Sequence, residues 1–403
     1  MAITVLRKKY SLGIYTMKEH PEKCVYLNDK QTIQSVDRWN SMEKRMVSTR
    51  KKWIDMTRAV GIFAIVYGHM VQGDSIISQF FGSFRVAIFF SVMGLTFHYK
   101  EGFKQFIKKK AVRLLIPYFV FAILSILIMY VAGKLFPVLT EGQSTAFLRN
   151  VWGALYANGL TGYMKWNLPL WFLPCSFLTF ILVYCYESVI AKSTKKNQVI
   201  TRIIYISVTF LIGAVYTSLF KQVKLPFGLE VAIPMSGFFE IGVLCSDLDR
   251  CFSKRINAAI GLVLVVLGFF LSLKNGYVSV MSLNFGNSIF VYFVTAIISI
   301  IGIELLTITV CSSNAFNEIS RFICYCGTHT IAILCMHKFP VLVFQYVVPF
   351  TKDLLRATAD SVGKNVVGLL LTVIVIGLCL IVEKPIERYC PIILGQKSYI
   401  AKR

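Results

Sequence analysis

Three ionisable residues interrupt one apolar stretch near the start of the chain: Asp55, Arg58 and His69 in W-I-D-M-T-R-A-V-G-I-F-A-I-V-Y-G-H-M. An ionisable group within a bilayer costs several kcal/mol, so its presence there points to function by default. Arg58 and His69 are eleven residues apart, which at 100° per residue leaves them only about 20° off one helical face. Asp55 lies about 60° from Arg58 on the same side, and the rise from Arg58 to His69 is roughly 16 Å. One face of this helix therefore carries a base near one end and an imidazole toward the other. The structural alternative is an Asp55–Arg58 ion pair plus a hydrogen-bonded histidine.

A second stretch, I-S-R-F-I-C-Y-C-G-T-H-T-I-A-I-L-C-M-H-K-F, holds His337 about 16 residues beyond Arg321. Read as one span, it places His337 at the depth of His69, so the two imidazoles can share a polar cavity. His329 lies deeper and about 80° around the helix, as a helix-contact or polar-lining residue. His98 ends an apolar stretch, where snorkelling explains it, and His20 receives no role. Arg85 enters another span from its far side. Glu230 and Glu240 stand in a further one, and either offers Arg85 an ion pair; the functional alternative is a polar acceptor site. Glu304 and Glu383 read as structural. Lys110 and Arg113, at i and i+3, share a helix face and are either membrane anchors or a site for phosphates.

The elements that must position these groups follow from composition. The chain has 403 residues, 56 % of them hydrophobic and 16 % charged, against about 25 % charged in soluble domains. Its mean hydropathy is +0.65. A soluble enzyme, a disordered chain and a disulfide-stapled domain are excluded, and little soluble face is left for nucleic acid. Ten apolar stretches of spanning length are read, at 53–72, 78–98, 112–133, 169–190, 202–220, 227–246, 256–273, 286–310, 321–348 and 362–382. A shorter apolar piece, 147–160, suggests a re-entrant or interfacial helix. The expected fold is an all-α polytopic membrane protein.

With the N-terminus in the cytoplasm, and bases at the very ends of spans counted with the adjoining segment, 31 of the 43 Lys and Arg fall inside, 9 outside and 3 (Arg58, Arg85 and Lys338) deeper within spans. The asymmetry predicts that both termini are cytoplasmic, and it explains most of the formal charge of +23. Residues 1–50 read as a basic cytoplasmic extension without a secretory signal, of which 1–41 is dispensable if translation starts at Met42. Residues 51–390 form the membrane domain and 391–403 a cytoplasmic tail. Most of the eleven Cys sit in apolar runs and behave as small hydrophobes. Cys324-Tyr-Cys326 lacks a second pair at zinc spacing, so no metal is expected.

Four segments together resemble the acyltransferase-3 family of membrane acyltransferases, especially its fucose 4-O-acetylase-like and cell-surface polysaccharide O-acetyltransferase branch. Arg58 to His69 looks like the family's basic residue followed, after ten intervening residues, by a histidine. Phe84 to Gly94 is similar to its F-H-M-P-L-F-F-x-x-S-G stretch. Lys110-Ala-Val-Arg113 before Leu-Ile-Pro117-Tyr118 is similar to its R-x-x-R motif. Leu170-Trp171-Phe172-Leu173 matches its L-W-F-L. Weaker echoes are Phe238-Phe239-Glu240-Ile-Gly242 and Gly327-Thr-His329-Thr to His337. Arg85 stands where the family often has His, Ala87 where it has Pro, Met93 where it has Ser, and Lys110 replaces the first Arg. These departures concern the acceptor more than the reaction.

The resemblance covers about residues 50–390. It implies transfer of an acyl group, usually acetyl, from cytoplasmic acyl-CoA to a sugar hydroxyl at the outer face of a cell membrane, here a bacterial plasma membrane. Acetyl-CoA would be a co-substrate, with no permanently bound cofactor. Partners would be acyl-CoA, a glycan or lipid-linked sugar and membrane lipid, with no nucleic acid. In this reading His69 is the general base and Asp55 orders Arg58. Arg58, Lys110 and Arg113 meet CoA phosphates. Arg85, Glu240 and His337 line the acceptor side, where Trp171 stacks on a sugar. A transporter or flippase for a polysaccharide or lipid-linked precursor is the competing class.

Overall fold

The computed structural model describes residues 51–71, 75–100, 102–135, 147–158, 165–313, 317–357 and 360–396. The basic extension 1–50, with Met42 and His20, and residues 397–403 of the tail lie outside the described residues.

The fold is all-α, as expected, with one two-stranded ribbon. The first helix, α1, runs over Lys52–Met70. The second span is two short helices, α2 (Ile76–Phe84) and α3 (Ala87–Leu95), meeting at Arg85 and Val86. Helix α4 (Phe103–Leu135) is about 50 Å long, more than the hydrocarbon core needs, and its first turns carry the Lys104, Lys108 and Lys109 side chains in the open. The short apolar piece forms α5 (Phe147–Tyr156), fastened to α4 where the Tyr118 hydroxyl donates to the Ala154 carbonyl at 2.7 Å. A 3₁₀ segment, Lys165–Trp171, leads into α6 (Phe172–Ile190). Helices α7 (Lys195–Leu219), α8 (Leu229–Leu244), α9 (Lys254–Asn275) and α10 (Ile289–Cys311) follow. Between α9 and α10, strand β1 (Val278–Ser279) pairs antiparallel with β2 (Asn284–Phe285).

Side chains at the starts of these helices accept backbone hydrogen bonds: Ser75 for α2, Thr194 for α7 and Ser288 for α10. Such caps satisfy amides that a helix leaves unpaired.

Among the described residues, eight helical stretches are long and apolar enough to cross a membrane: Ile76–Leu95, Phe103–Leu135, Trp166–Ile190, Lys195–Leu219, Pro226–Arg250, Lys254–Asn275, Ile289–Cys311 and Val362–Tyr389. Two of the ten expected spans differ. The stretch at 321–348 is not one helix. It breaks into α11 (Glu318–Thr328), α12 (Thr330–Met336) and α13 (Lys338–Tyr346), with a bend of 67° between the first two. Helix α14 (Pro349–Arg356) connects it to α15 (Val362–Tyr389). The stretch at 53–72 is helical as α1, yet too polar to rank among the eight.

The packing explains how α1 tolerates its polar residues. Helices α3, α10, α11 and α15 surround it, so Asp55 and Thr57 meet protein rather than lipid. Close approach there needs glycine: a Cβ on Gly327 of α11 would fall on the Asp55 carbonyl. Helix α8 is the other buried axis, enclosed by α3, α6 and α7. Gly94 of α3 faces the Phe239 carbonyl, and Gly242 of α8 faces the Ser91 carbonyl, each too close to admit a Cβ. Helices α7 and α9 lie outermost, with Ile203, Ile204, Leu262 and Val263 exposed where lipid would cover them.

Candidate active site

The cytoplasmic-type cluster of α1 forms as its spacing predicts. Arg58 Nη1 donates to Asp55 Oδ1 at 2.9 Å, one helical turn apart and half-hidden by the surrounding helices. Eleven residues on, His69 sits in the last turn. Its own carbonyl and that of Met70 both accept from Gln345 Nε2 of α13 at 2.8 Å. These carbonyls have no partner within the helix, so Gln345 caps α1 where its imidazole must be held.

His337 joins it from the junction of α12 and α13. The two imidazole centroids are 5.4 Å apart. His337 is fully buried, and its Nδ1 lies 2.9 Å from the Ile333 carbonyl. A carbonyl only accepts, so Nδ1 carries the proton, and a neutral ring presents Nε2 as a lone pair. That Nε2 is buried without a hydrogen-bond partner. The sequence expectation that both histidines reach one depth holds, although by a bent path rather than a straight span. His329 is the fastening of that bend: its Nδ1 lies 2.8 Å from Glu383 Oε1 of α15. Glu383 is structural, as expected, and Glu304 accepts from Ser91 Oγ at 3.0 Å.

A cavity of about 280 Å³ opens beside His69. His69, Arg85, Trp171, Tyr277 and Ser282 are among its lining residues, and no Asp or Glu is. Arg85 stands at the α2–α3 break, and a Cβ on Gly68 would coincide with its guanidinium. Gly68 thus makes room for the cation one residue before the histidine. Trp171 is held by the 3₁₀ segment, whose buried Asn167 donates from Nδ2 to Ser125 Oγ at 3.0 Å and to the Cys335 carbonyl at 2.9 Å. The same asparagine therefore ties the tryptophan to α12, two residues from His337.

Of the nine candidate residues, His69, Arg85 and Trp171 line the cavity, while His337 packs against His69 without lining it, so the two histidines meet but do not share that cavity. Arg58 lies about 16 Å and Asp55 about 21 Å of helical rise from His69. Lys110 and Arg113 of α4 are not part of the cavity. Lys110 Nζ lies over the Phe180 ring, 3.6 Å from its centroid, a cation–π contact. The Arg113 side chain is exposed, and its backbone is covered by Gly395.

Glu240 is in the wrong place for the acceptor side. It binds Arg202 of α7, which also takes Glu187 of α6. Arg202, counted among the bases of the inside segments, is a buried residue of α7, and its guanidinium rather than that of Arg85 meets Glu240. Glu230 is also engaged: it accepts from Asn158 Nδ2 at 2.9 Å and from the Leu225 amide at 3.2 Å. Neither acid pairs with Arg85.

Two site features were not anticipated. The ribbon between α9 and α10 supplies a cavity wall, from Tyr277 to Ser282. Its turn signals, Asn275-Gly276 and Gly286-Asn287, are visible in sequence, but they do not say what the turn covers. Lys338, directly after His337, stands close enough to His69 to act on its charge, as does Arg85.

A family profile described as an acyltransferase domain matches residues 51–384. The chain belongs to the acyltransferase-3 family. Neither curated proteins nor solved structures gave a significant match. As a member of this family the chain is a membrane acyltransferase, and nothing found favours the transporter or flippase reading. The family match begins at the residue before α1 and ends in α15, so it contains every residue of the His69 cavity.

Proposed function

We propose that this acyltransferase moves an acyl group, in the first instance acetyl, from cytoplasmic acyl-CoA to a hydroxyl of a cell-surface or lipid-linked glycan. The observation that carries this reading is the His69 imidazole, backed by His337 at 5.4 Å, at the wall of a cavity that also holds Arg85 and Trp171. A hydroxyl becomes a competent nucleophile when a positioned base takes its proton, and histidine suits that role near neutral pH.

In the proposed direct transfer the acceptor oxygen attacks the thioester carbonyl. His69 takes the hydroxyl proton as the new C–O bond forms, the C–S bond breaks, and the proton passes to the departing thiolate. His337, buried behind His69 with its ring centroid 5.4 Å away, packs on that imidazole and so helps to position it. Arg85 stands beside His69 on the acceptor side, where its charge also lowers the cost of the negative charge that develops during transfer. Trp171 offers an aromatic face to the sugar ring. Arg58, with Lys110 and Arg113, would meet the phosphates of CoA at the cytoplasmic side. The pantetheine arm then bridges the roughly 16 Å of helical rise to His69.

The test is acyl transfer in purified membranes from radiolabelled acetyl-CoA, comparing wild type with His69→Ala. General-base loss typically lowers turnover about 10²–10⁴-fold. Near-wild-type turnover by the variant would sink the assignment. Mass spectrometry of surface glycan with and without the gene names the acceptor.

A further inference from the structure

Elsewhere the chain supplies its buried cations with partners. Arg58 has Asp55, Arg202 has Glu187 and Glu240, and Lys364 donates to the Ala357 carbonyl. The histidine pair is different. Arg85 and Lys338 both stand close enough to act on His69, and neither has an acidic partner among the described residues. The acids that could have served Arg85, Glu230 and Glu240, are bound elsewhere. Around the guanidinium are tyrosines: Tyr277 is within reach of it, and Tyr292 is fully buried with a hydroxyl that has no partner. Two positive groups without a carboxylate, set between membrane helices, are costly while the site is empty. They are balanced when an anion enters.

From this arrangement we infer that the acceptor is itself anionic, carrying a carboxylate or phosphate beside the hydroxyl that is acylated. Arg85 binds the anionic group, and Lys338 adds to the positive potential that draws it in. The inference rests on the acyl-transfer reading of the same cavity. The phosphates of CoA do not serve as the balancing anion: they lie at the opposite end of the pantetheine arm from the thioester, and Arg85 packs on Gly68, next to His69. A developing oxyanion does not serve either, since it exists only at the transition state and leaves the cations uncompensated before it.

The experiment is equilibrium binding to the purified full chain in detergent. The ligands are a methyl hexoside, the matching methyl hexuronide, and the matching hexoside 6-phosphate. The wild type is expected to bind at least one anionic ligand about tenfold or more tighter than the neutral one, the worth of one charge-assisted hydrogen bond. Tighter binding of the uronide identifies a carboxylate acceptor, and of the 6-phosphate a phosphate acceptor. The preference should shrink in Arg85→Gln and persist in part in Arg85→Lys. His69→Ala should keep the binding preference while losing transfer, so failure of the base assignment and failure of this inference are read separately. Equal binding of all three ligands by the wild type overturns the inference. So does a preference unchanged in both Arg85→Gln and Lys338→Gln.

Discussion

At the scale of single residues, the site depends on how closely Gly68 and Arg85 approach. A methyl group on Gly68 falls on the guanidinium, so Gly68→Ala must push Arg85 away from His69. The expected result is a protein that elutes and melts like wild type but transfers acyl groups about 10²-fold more slowly, the scale of losing one electrostatic donor. Turnover equal to wild type would show that Arg85 is not needed where it stands. Asp55 makes a different prediction. Its carboxylate holds Arg58 at 2.9 Å, so Asp55→Asn should raise the KM for acyl-CoA more than it lowers kcat. Arg113→Ala should likewise raise that KM; an unchanged KM with lower expression would mark Arg113 as a membrane anchor. Lys110 is less free to take part, since its ammonium lies over Phe180.

At the scale of elements, two crossings hold the machinery. Helices α3 and α8 meet backbone to backbone at Gly94 and Gly242. A larger residue at either must part the helices, and Gly242→Leu should destabilise the fold by about 1–3 kcal/mol or more, read as a lowered Tm in detergent. The second is the ion cluster of Arg202 with Glu187 and Glu240, which joins α6, α7 and α8. Arg202→Met leaves two buried carboxylates facing each other, and removing one partner of a buried pair costs about 3–5 kcal/mol. Replacing all three residues by apolar ones should recover much of that loss, because the stranded charges go with the partner. If Arg202→Met alone melts like wild type, the cluster does not join these helices. The break at His329 belongs here too. The bend of 67°, fastened through His329 and Glu383, lies on the path that brings His337 to His69.

At the scale of the whole molecule, the charge distribution sets orientation before any ligand is involved. The excess of Lys and Arg in alternate loops predicts cytoplasmic termini and a His69 cavity in the outer half of the membrane. Reporter fusions after residues 100, 224 and 275 test it. The first should report the cytoplasm and the other two the outside; the reverse pattern would put the acceptor site on the cytoplasmic face. An outer position would let the donor proposed above enter from one side of the bilayer and the acceptor from the other.

The spans, the all-α class and the family were legible in the sequence because they rest on local quantities: apolar run length, helical periodicity, and short motifs fixed by spacing. The Asp55–Arg58 pair was legible for the same reason, since residues at i and i+3 meet on any helix. The meeting of His69 with His337 was legible only as a matching depth. Partner choice was not legible at all. Arg202 looked like a loop base and Glu240 like a partner for Arg85, because sequence records which charges exist but not which helices adjoin. Placing α7 against α8 decided that Arg202 neutralises Glu240 and that Arg85 is left beside the histidines without an acid. The ribbon over the cavity was decided in the same way. Its turns are local, and what it covers depends on the packing of α2 beneath it.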